Sequence, residues 1–174
     1  MRRVVITGLG SVNPIGLTVE ETWNSCLQSV SGVGPITLFD SSDYMVQIAC
    51  EVKNFDPNRY MSKSEARRRD RCQQLATAAA KEAVADAGLE IIGSNAERVG
   101  VMVSSAIGGL TTLENSTRII MNSGPRRVSP FTIPMLMPNG PSGLIAIDTG
   151  ARGPALSVSS ACASSSDGIG LAWQ

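Results

Sequence analysis

Short β-branched runs alternate with longer amphipathic stretches along the chain, and turn or capping residues separate them. Residues 3–7 (Arg-Val-Val-Ile-Thr) predict a buried strand, ended by Gly8-Leu9-Gly10. Thr18 and Glu21 have the spacing of a capping box, in which a hydroxyl and a carboxylate satisfy orphan amides at a helix start. The helix they open runs to about Ser29 and stops before Gly32. Residues 44–52 read as extended and irregular, and Asp56-Pro57 as a turn. Ser62 and Glu65 form a second capping box, predicted to open the longest helix, through Gln73 to Ala87, with Gly88 as its left-handed C-cap. Ser94 and Glu97 cap a short turn before a strand at residues 99–103, and Thr111 and Glu114 open a helix to about Asn122, closed by Ser123-Gly124-Pro125. After Pro130, Pro134, Pro138 and Pro141, residues 142–149 look helical. A strand at 155–159 then turns into a last helix at Ala163 or just after.

This alternation predicts an α/β fold with a mainly parallel sheet covered by helices. No internal repeat interrupts it. The final residues, Gly168 to Gln174, form a helical pattern with no Gly, Pro or cap to close it. The expectation is therefore one domain over residues 1–174, incomplete at its C-terminal end.

Composition narrows the function. With 43% hydrophobic and 17% charged residues, the chain is too apolar for a disordered segment. Fifteen basic residues balance fifteen acidic ones, which excludes binding of nucleic acid or an anionic membrane by bulk charge. No apolar run approaches the ~20 residues of a membrane span. The stretch after Met1-Arg2-Arg3 is too polar and Gly-rich for a signal-peptide core, so a cytoplasmic location is expected. There is no histidine, so no Ser-His or Cys-His pair is completed within these residues, and imidazole metal sites are excluded. The 17 glycines, 17 alanines and 21 serines let elements approach closely and let backbone amides face a ligand. Cys26, Cys50, Cys72 and Cys162 show no CxxC spacing and are expected to stay reduced, as plain buried thiols unless their surroundings say otherwise.

Three local patterns carry candidate chemistry. Gly8-x-Gly10 follows a predicted strand, yet Asn13 stands where a dinucleotide fingerprint needs its third glycine, and residues 28–34 lack the acidic partner. A structural turn is the better reading. Cys162 lies in Ser159-Ser-Ala-Cys-Ala-Ser-Ser-Ser166, where a strand feeds a sharp turn of small residues and a helix begins. A thiol there feels the positive end of the helix dipole, and its amide points toward a prospective oxyanion, the logic of a nucleophile elbow. A small residue in a tight packing site is the alternative. Arg59, Lys63, Arg67, Arg68, Arg69 and Arg71 form a basic cluster near a helix start, where the dipole disfavours positive charge. Such a run is usually a solvated face, but Arg67, Arg68 and Arg71 have the spacing to share one side and meet an acidic partner or phosphate.

Four segments in order then give the chain a family likeness: Val4-Val-Ile-Thr-Gly-Leu-Gly10, Ala106-Ile-Gly-Gly109, Gly124-Pro-Arg-Arg-Val-Ser-Pro-Phe131, and Arg152-Gly-Pro leading to Ala161-Cys162. With these it resembles the elongating, type II β-ketoacyl-acyl carrier protein synthases over essentially its whole length. The resemblance implies a thiolase-like fold of α-β-α-β-α layers, of which this chain is the N-terminal half, in a homodimer. It also implies an acyltransferase performing decarboxylative Claisen condensation in fatty acid or polyketide elongation. Cys162 matches the nucleophile that carries the acyl chain. Ile107 matches a residue lining the acyl channel, and Phe131, Thr132 and Met135 match substrate-binding positions on a segment, Pro130–Met135, that reaches toward the partner subunit's pocket; Arg67, Arg68, Arg126 and Arg127 match basic positions that meet acyl- or malonyl-loaded carrier protein. No cofactor and no metal is implied. The family's two histidines and its lysine belong to the second half, which leaves a second class open: a non-catalytic fragment or homologue that dimerises or docks carrier protein.

Overall fold

A computed structural model describes residues 3–174; Met1 and Arg2, part of the N-terminal targeting argument, lie outside the described residues. Helix α1 (Val19–Leu27) begins at Thr18, whose hydroxyl accepts the Glu21 amide. The capping box is displaced by one residue, because the Glu21 carboxylate takes the Leu17 amide at 2.7 Å. Strands β1 (Val33–Pro35) and β2 (Ile48–Cys50) pair antiparallel, Val33 opposite Cys50. The region expected to be irregular thus contains half of a ladder. Its support is Glu51, 8% exposed, whose carboxylate accepts the Thr37 hydroxyl at 2.7 Å and the amides of Thr37 and Leu38.

The predicted longest helix is two helices. Ser62 and Glu65 do form a reciprocal capping box, but helix α2 (Lys63–Ala66) is a single turn. Helix α3 (Arg71–Asp86) starts again with Asp70 as its N-cap and Gln73 completing a second box, and Gly88 follows with φ +58°. Two strong start signals close together cost the chain one helix break. Ahead of strand β3 (Val101–Met102), the short turn is made by Asn95, which accepts the Ile92 amide at 2.8 Å and donates to Glu90 O at 2.7 Å; Ser94 does not cap it. Helix α4 (Leu110–Ser123) starts one residue before Thr111 and ends at Gly124, φ +81°. The one-and-a-half-turn helix α5 (Thr132–Leu136) leads into α6 (Gly140–Thr149), β4 (Ala155–Leu156) and α7 (Ser164–Trp173).

The parallel sheet is present but small among the described residues: β3 and β4 pair only as Val101 with Ala155 and Met102 with Leu156. Hydroxyls take over where the longer predicted strands stop pairing. Ser142, fully buried, accepts the Val103 amide at 2.9 Å and lies 2.6 Å from Leu156 O, to which it donates; Ser104 accepts the Val158 amide at 3.2 Å. Residues 3–10 belong to no strand or helix, and Val4, Val5 and Ile6 are 53%, 63% and 84% exposed. The expected buried strand is corrected to an unpaired strap, because no ladder among the described residues includes it.

That strap lies on α3. A Cβ on Gly8 would sit 2.3 Å from Ala83 O, and one on Gly10 1.9 Å from Ala79 O, so both glycines serve backbone contact with a helix. Carboxylates of α3 reach back, Asp86 accepting the Leu9 amide and Glu82 the amides of Ser11 and Val19, each at 2.8 Å. Helices α3 and α6 pack together, and β3 and β4 lie against α6. Buried apolar side chains among the described residues are few: Met61, Ala78, Ala96, Pro141 and Ile145. Arg69, 5% exposed, ties the packed helices instead, donating to both oxygens of Asp148 at 2.6 and 2.8 Å and to Thr77 Oγ1 at 3.0 Å. The chain presents 11916 Å² of surface at a mass of 18.2 kDa, where a compact monomer of that mass presents about 8,100 Å².

Candidate active site

Cys162 is exposed and sits in a 3-10 turn, Ala161–Ala163, that runs directly into α7. Ala161 before it has φ +52°, one of three non-glycine residues among those described with positive φ. A left-handed alanine costs about 1 kcal/mol, so the turn is held in shape by its neighbours. Ser164 Oγ accepts the Ser160 amide at 2.9 Å and donates to Ala161 O at 2.6 Å, and Ser160 Oγ donates to Asp167. The turn's own hydrogen bonds are donated by Ala163 and Ser164, and the Cys162 amide precedes both. Its N-cap residue, Ala163, offers α7 no side-chain cap. The strand-turn-helix order is as expected, except that the strand is two residues long and exposed.

The loop leaving β3 runs beside the strand that leads to Cys162. Ser159 Oγ donates to Ser105 O at 2.9 Å, and a Cβ on Gly168 of α7 would sit 2.5 Å from Ser104 Oγ. Ile107 follows on this loop, 59% exposed. Gly108 (φ +80°) and Gly109 then press against α5: the Gly109 amide donates to Leu136 O at 3.0 Å, and a Cβ on Gly109 would sit 2.2 Å from Met135 O. Ile107 and Met135 are thus held on adjoining backbone. Thr132 Oγ1 lies 3.2 Å from Ser116 Oγ of α4, so its hydroxyl is engaged between helices. Phe131 lies under Arg68, whose guanidinium carbon is 4.8 Å from the ring centroid.

The basic cluster divides. The helix break puts Arg67 at the C-cap of α2, where a helix dipole favours positive charge, so the unfavourable placement is corrected for Arg67, while Lys63 and Arg71 do stand at the first positions of α2 and α3. Arg71 does not share a face with Arg67 and Arg68, since its guanidinium donates to Val52 O at 2.9 Å and lies over the Phe55 ring. Arg69 is spent on Asp148, and that hydrogen bond holds its pKa above the usual arginine value. Arg67 and Arg68 stay exposed on α2's end, and Arg126 and Arg127 stay exposed in a 3-10 turn just ahead of Phe131. A groove of about 400 Å³ opens below Arg68, lined by Phe131, Pro134, Met137, Leu144 and Ile147.

Of the other cysteines, Cys26 and Cys50 are exposed rather than buried. Cys72 is half-buried at the second position of α3, and burial, with Asp70 beside it, pushes its thiol up to about 12. Sequence reasoning missed Asp70, whose role the Asp70-x-x-Gln73 spacing could have signalled.

A strand-to-helix turn of small residues, entered through a left-handed alanine and presenting one exposed thiol, invites comparison with known proteins. Residues 1–174 match the family described as Beta-ketoacyl synthase, N-terminal domain. The chain belongs to the β-ketoacyl synthase family. It is 46% identical over 173 residues to a 3-oxoacyl-[acyl-carrier-protein] synthase 2 of Staphylococcus aureus, and 43% identical over 173 residues to one of Synechocystis sp.. Each alignment covers 99% of this chain and 42% of the relative, so the chain spans under half the length of these ketosynthases. Among solved structures, a β-ketoacyl synthase from Burkholderia phymatum superposes with TM-score 0.80 at 25% identity, over 99% of this chain and 43% of that one. The ishigamide ketosynthase/chain length factor does so with TM-score 0.79 at 30% identity, over 91% and 40%. The architecture is that of the N-terminal half of a thiolase-like ketosynthase fold. Among the described residues no helix is long and apolar enough to cross a membrane.

Proposed function

We propose that this chain supplies the acyl-accepting part of a cytoplasmic condensing enzyme, an acyltransferase that elongates fatty acyl or polyketide chains. The observation that carries the reading is Cys162, exposed on its elbow with its amide ahead of the turn's hydrogen bonds. The Cys162 thiolate attacks an acyl thioester carried by acyl carrier protein; the carbonyl charge is met by the Cys162 amide, the carrier thiolate leaves, and the acyl group stays on sulfur. Malonyl-carrier protein then loses CO2, the resulting enolate carbon attacks the Cys162 thioester, and the Cys162 thiolate is released with a β-ketoacyl product two carbons longer. Ile107, Phe131, Thr132 and Met135 form the acyl-binding side. Exposed Arg67, Arg68, Arg126 and Arg127 steer the acidic carrier.

Decarboxylation builds negative charge that needs preorganised donors, and this chain contains no histidine. We assign those donors to a second half of the same enzyme, in keeping with the greater length of the relatives, and the assembly to a homodimer. The same lack of histidine supports one alternative, a module that docks carrier protein or dimerises without chemistry. Incubation with acyl-carrier protein followed by mass mapping separates the two. The expected result is one acyl group on Cys162, lost in Cys162→Ala and slowed in the double charge reversal Arg67→Glu/Arg68→Glu. Carrier binding with no acyl transfer to Cys162 would leave the docking module.

A further inference from the structure

Asp70 has more hydrogen bonds than a helix cap requires. It is 4% exposed, and its Oδ1 accepts the Cys72 amide at 3.1 Å, which suffices to cap α3. Its Oδ2 faces another helix, accepting the Thr112 amide at 2.9 Å and the Thr112 hydroxyl at 2.5 Å at the start of α4. The Asp70 amide donates to Gln73 Oε1 at 3.0 Å, and Gln73, fully buried, donates from Nε2 to Pro134 O of α5 at 2.7 Å. One junction therefore fixes three helices. Gly109 sits inside it: a Cβ there would lie 3.0 Å from Asp70 Oδ2 as well as 2.2 Å from Met135 O.

Both segments that carry the apolar candidates end at this junction. Ile107 precedes Gly108-Gly109 and the α4 start, and Met135 follows the Pro134 carbonyl that Gln73 holds. We propose that Asp70 and Thr112 are positioning residues that set the spacing of the Ile107 and Met135 segments and so select which acyl lengths reach Cys162. The proposal rests on the function given above. A buried carboxylate with three donors is a stiff support, because moving α4 away from the α3 start leaves its Oδ2 unpartnered. A neutral cap would start α3 equally well but would not bind α4 by charge-assisted bonds.

The decisive pair is Thr112→Val and Thr112→Ser in the purified protein. Valine keeps the shape and the backbone amide and deletes the hydroxyl donor; serine restores that donor. Acylation of Cys162 by hexanoyl-, decanoyl- and myristoyl-pantetheine is followed by mass. Thr112→Val should raise the myristoyl-to-hexanoyl rate ratio about fivefold, the change one lost buried hydrogen bond supports, and Thr112→Ser should return it to the starting value. Equal change at all three lengths, or no rescue by serine, overturns the proposal. Should Thr112→Val not fold, Gln73→Met, which frees Pro134 from the junction, is judged by the same ratio. No acylation of the unsubstituted protein at any length overturns the functional reading, and this proposal with it.

Discussion

Two helix starts in this chain carry a cysteine, and they are built in opposite ways. At α3, Asp70 caps the helix, Gln73 closes the box, and Cys72 sits half-buried in the first turn. At α7, no side chain caps the helix, and Cys162 is exposed on the turn before it. The helix dipole acts at both, yet Cys72 is pushed up to about 12. Burial and an adjacent carboxylate outweigh a helix end. A helix start therefore does not make a nucleophile. What distinguishes Cys162 is exposure on a turn whose helix has no side-chain cap, the carboxylate of that first turn, Asp167, being taken up by the Ser160 hydroxyl.

The largest expected difference is chemical. At pH 8 a thiol with a pKa about 12 is thiolate to only about one part in 10⁴, so limiting iodoacetamide should leave Cys72 unmodified while Cys162 is carboxamidomethylated. Denaturant should abolish the protection. The pH dependence has a definite sign: a folded value above the ordinary thiol value of 9.0 means the native state holds the proton more tightly. The stability linked to neutral Cys72 is complete below pH 9 and is lost as pH rises toward 12. Early modification of folded Cys72 would erase the contrast between the two starts.

Stability should separate them next. Asp70→Ala removes a cap and strands the buried donors of Thr112, so urea unfolding should show a loss of about 3 kcal/mol. Cys162→Ala should fall within about 0.5 kcal/mol of the unsubstituted protein. A large loss at Cys162 would make it a packing residue after all. The smallest effect concerns the open elbow. Ala161→Gly relieves a left-handed alanine and should raise stability by up to about 1 kcal/mol in thermal unfolding, while slowing Cys162 acylation. An unchanged acylation rate would show that the conformation of Ala161 is incidental to the chemistry.

The sequence made the helix ends legible wherever a single side chain decides them: Thr18, Ser62, Gly88 and the turn before α7 all lie where their chemistry places them. It misleads at residues 67–70, because Ser62 masks the second start signal eight residues on, and one continuous helix would put Cys72 mid-helix where the structure has it in the first turn of α3. Strand lengths were overestimated for a different reason. Val103 and Val158 have β-branched sequence character, but serine hydroxyls satisfy their backbone groups, and no pattern of apolar residues reports that substitution. The pairing of β1 with β2 depends on Glu51, a lone acidic residue that looks like ordinary surface until Thr37 and Leu38 are brought to it. The turn into α7 that carries Cys162 is legible from its run of small residues, whereas Ile107 is singled out only by the family likeness. The junction around Asp70 was not, since its partners at positions 112 and 134 are distant in sequence.

Gly8 and Gly10 have a further consequence. With backbone against backbone at two positions two residues apart, the strap is indexed to α3 like a key with two notches. Sliding it by one residue would drive the side chains of Leu9 and Ser11 into helix backbone, so the strap has one allowed setting. Val4, Val5, Ile6 and Leu9 of the same segment meanwhile stay more than half exposed. Two missing side chains thus set the register, and α3 becomes the ruler against which the whole N-terminal segment is measured.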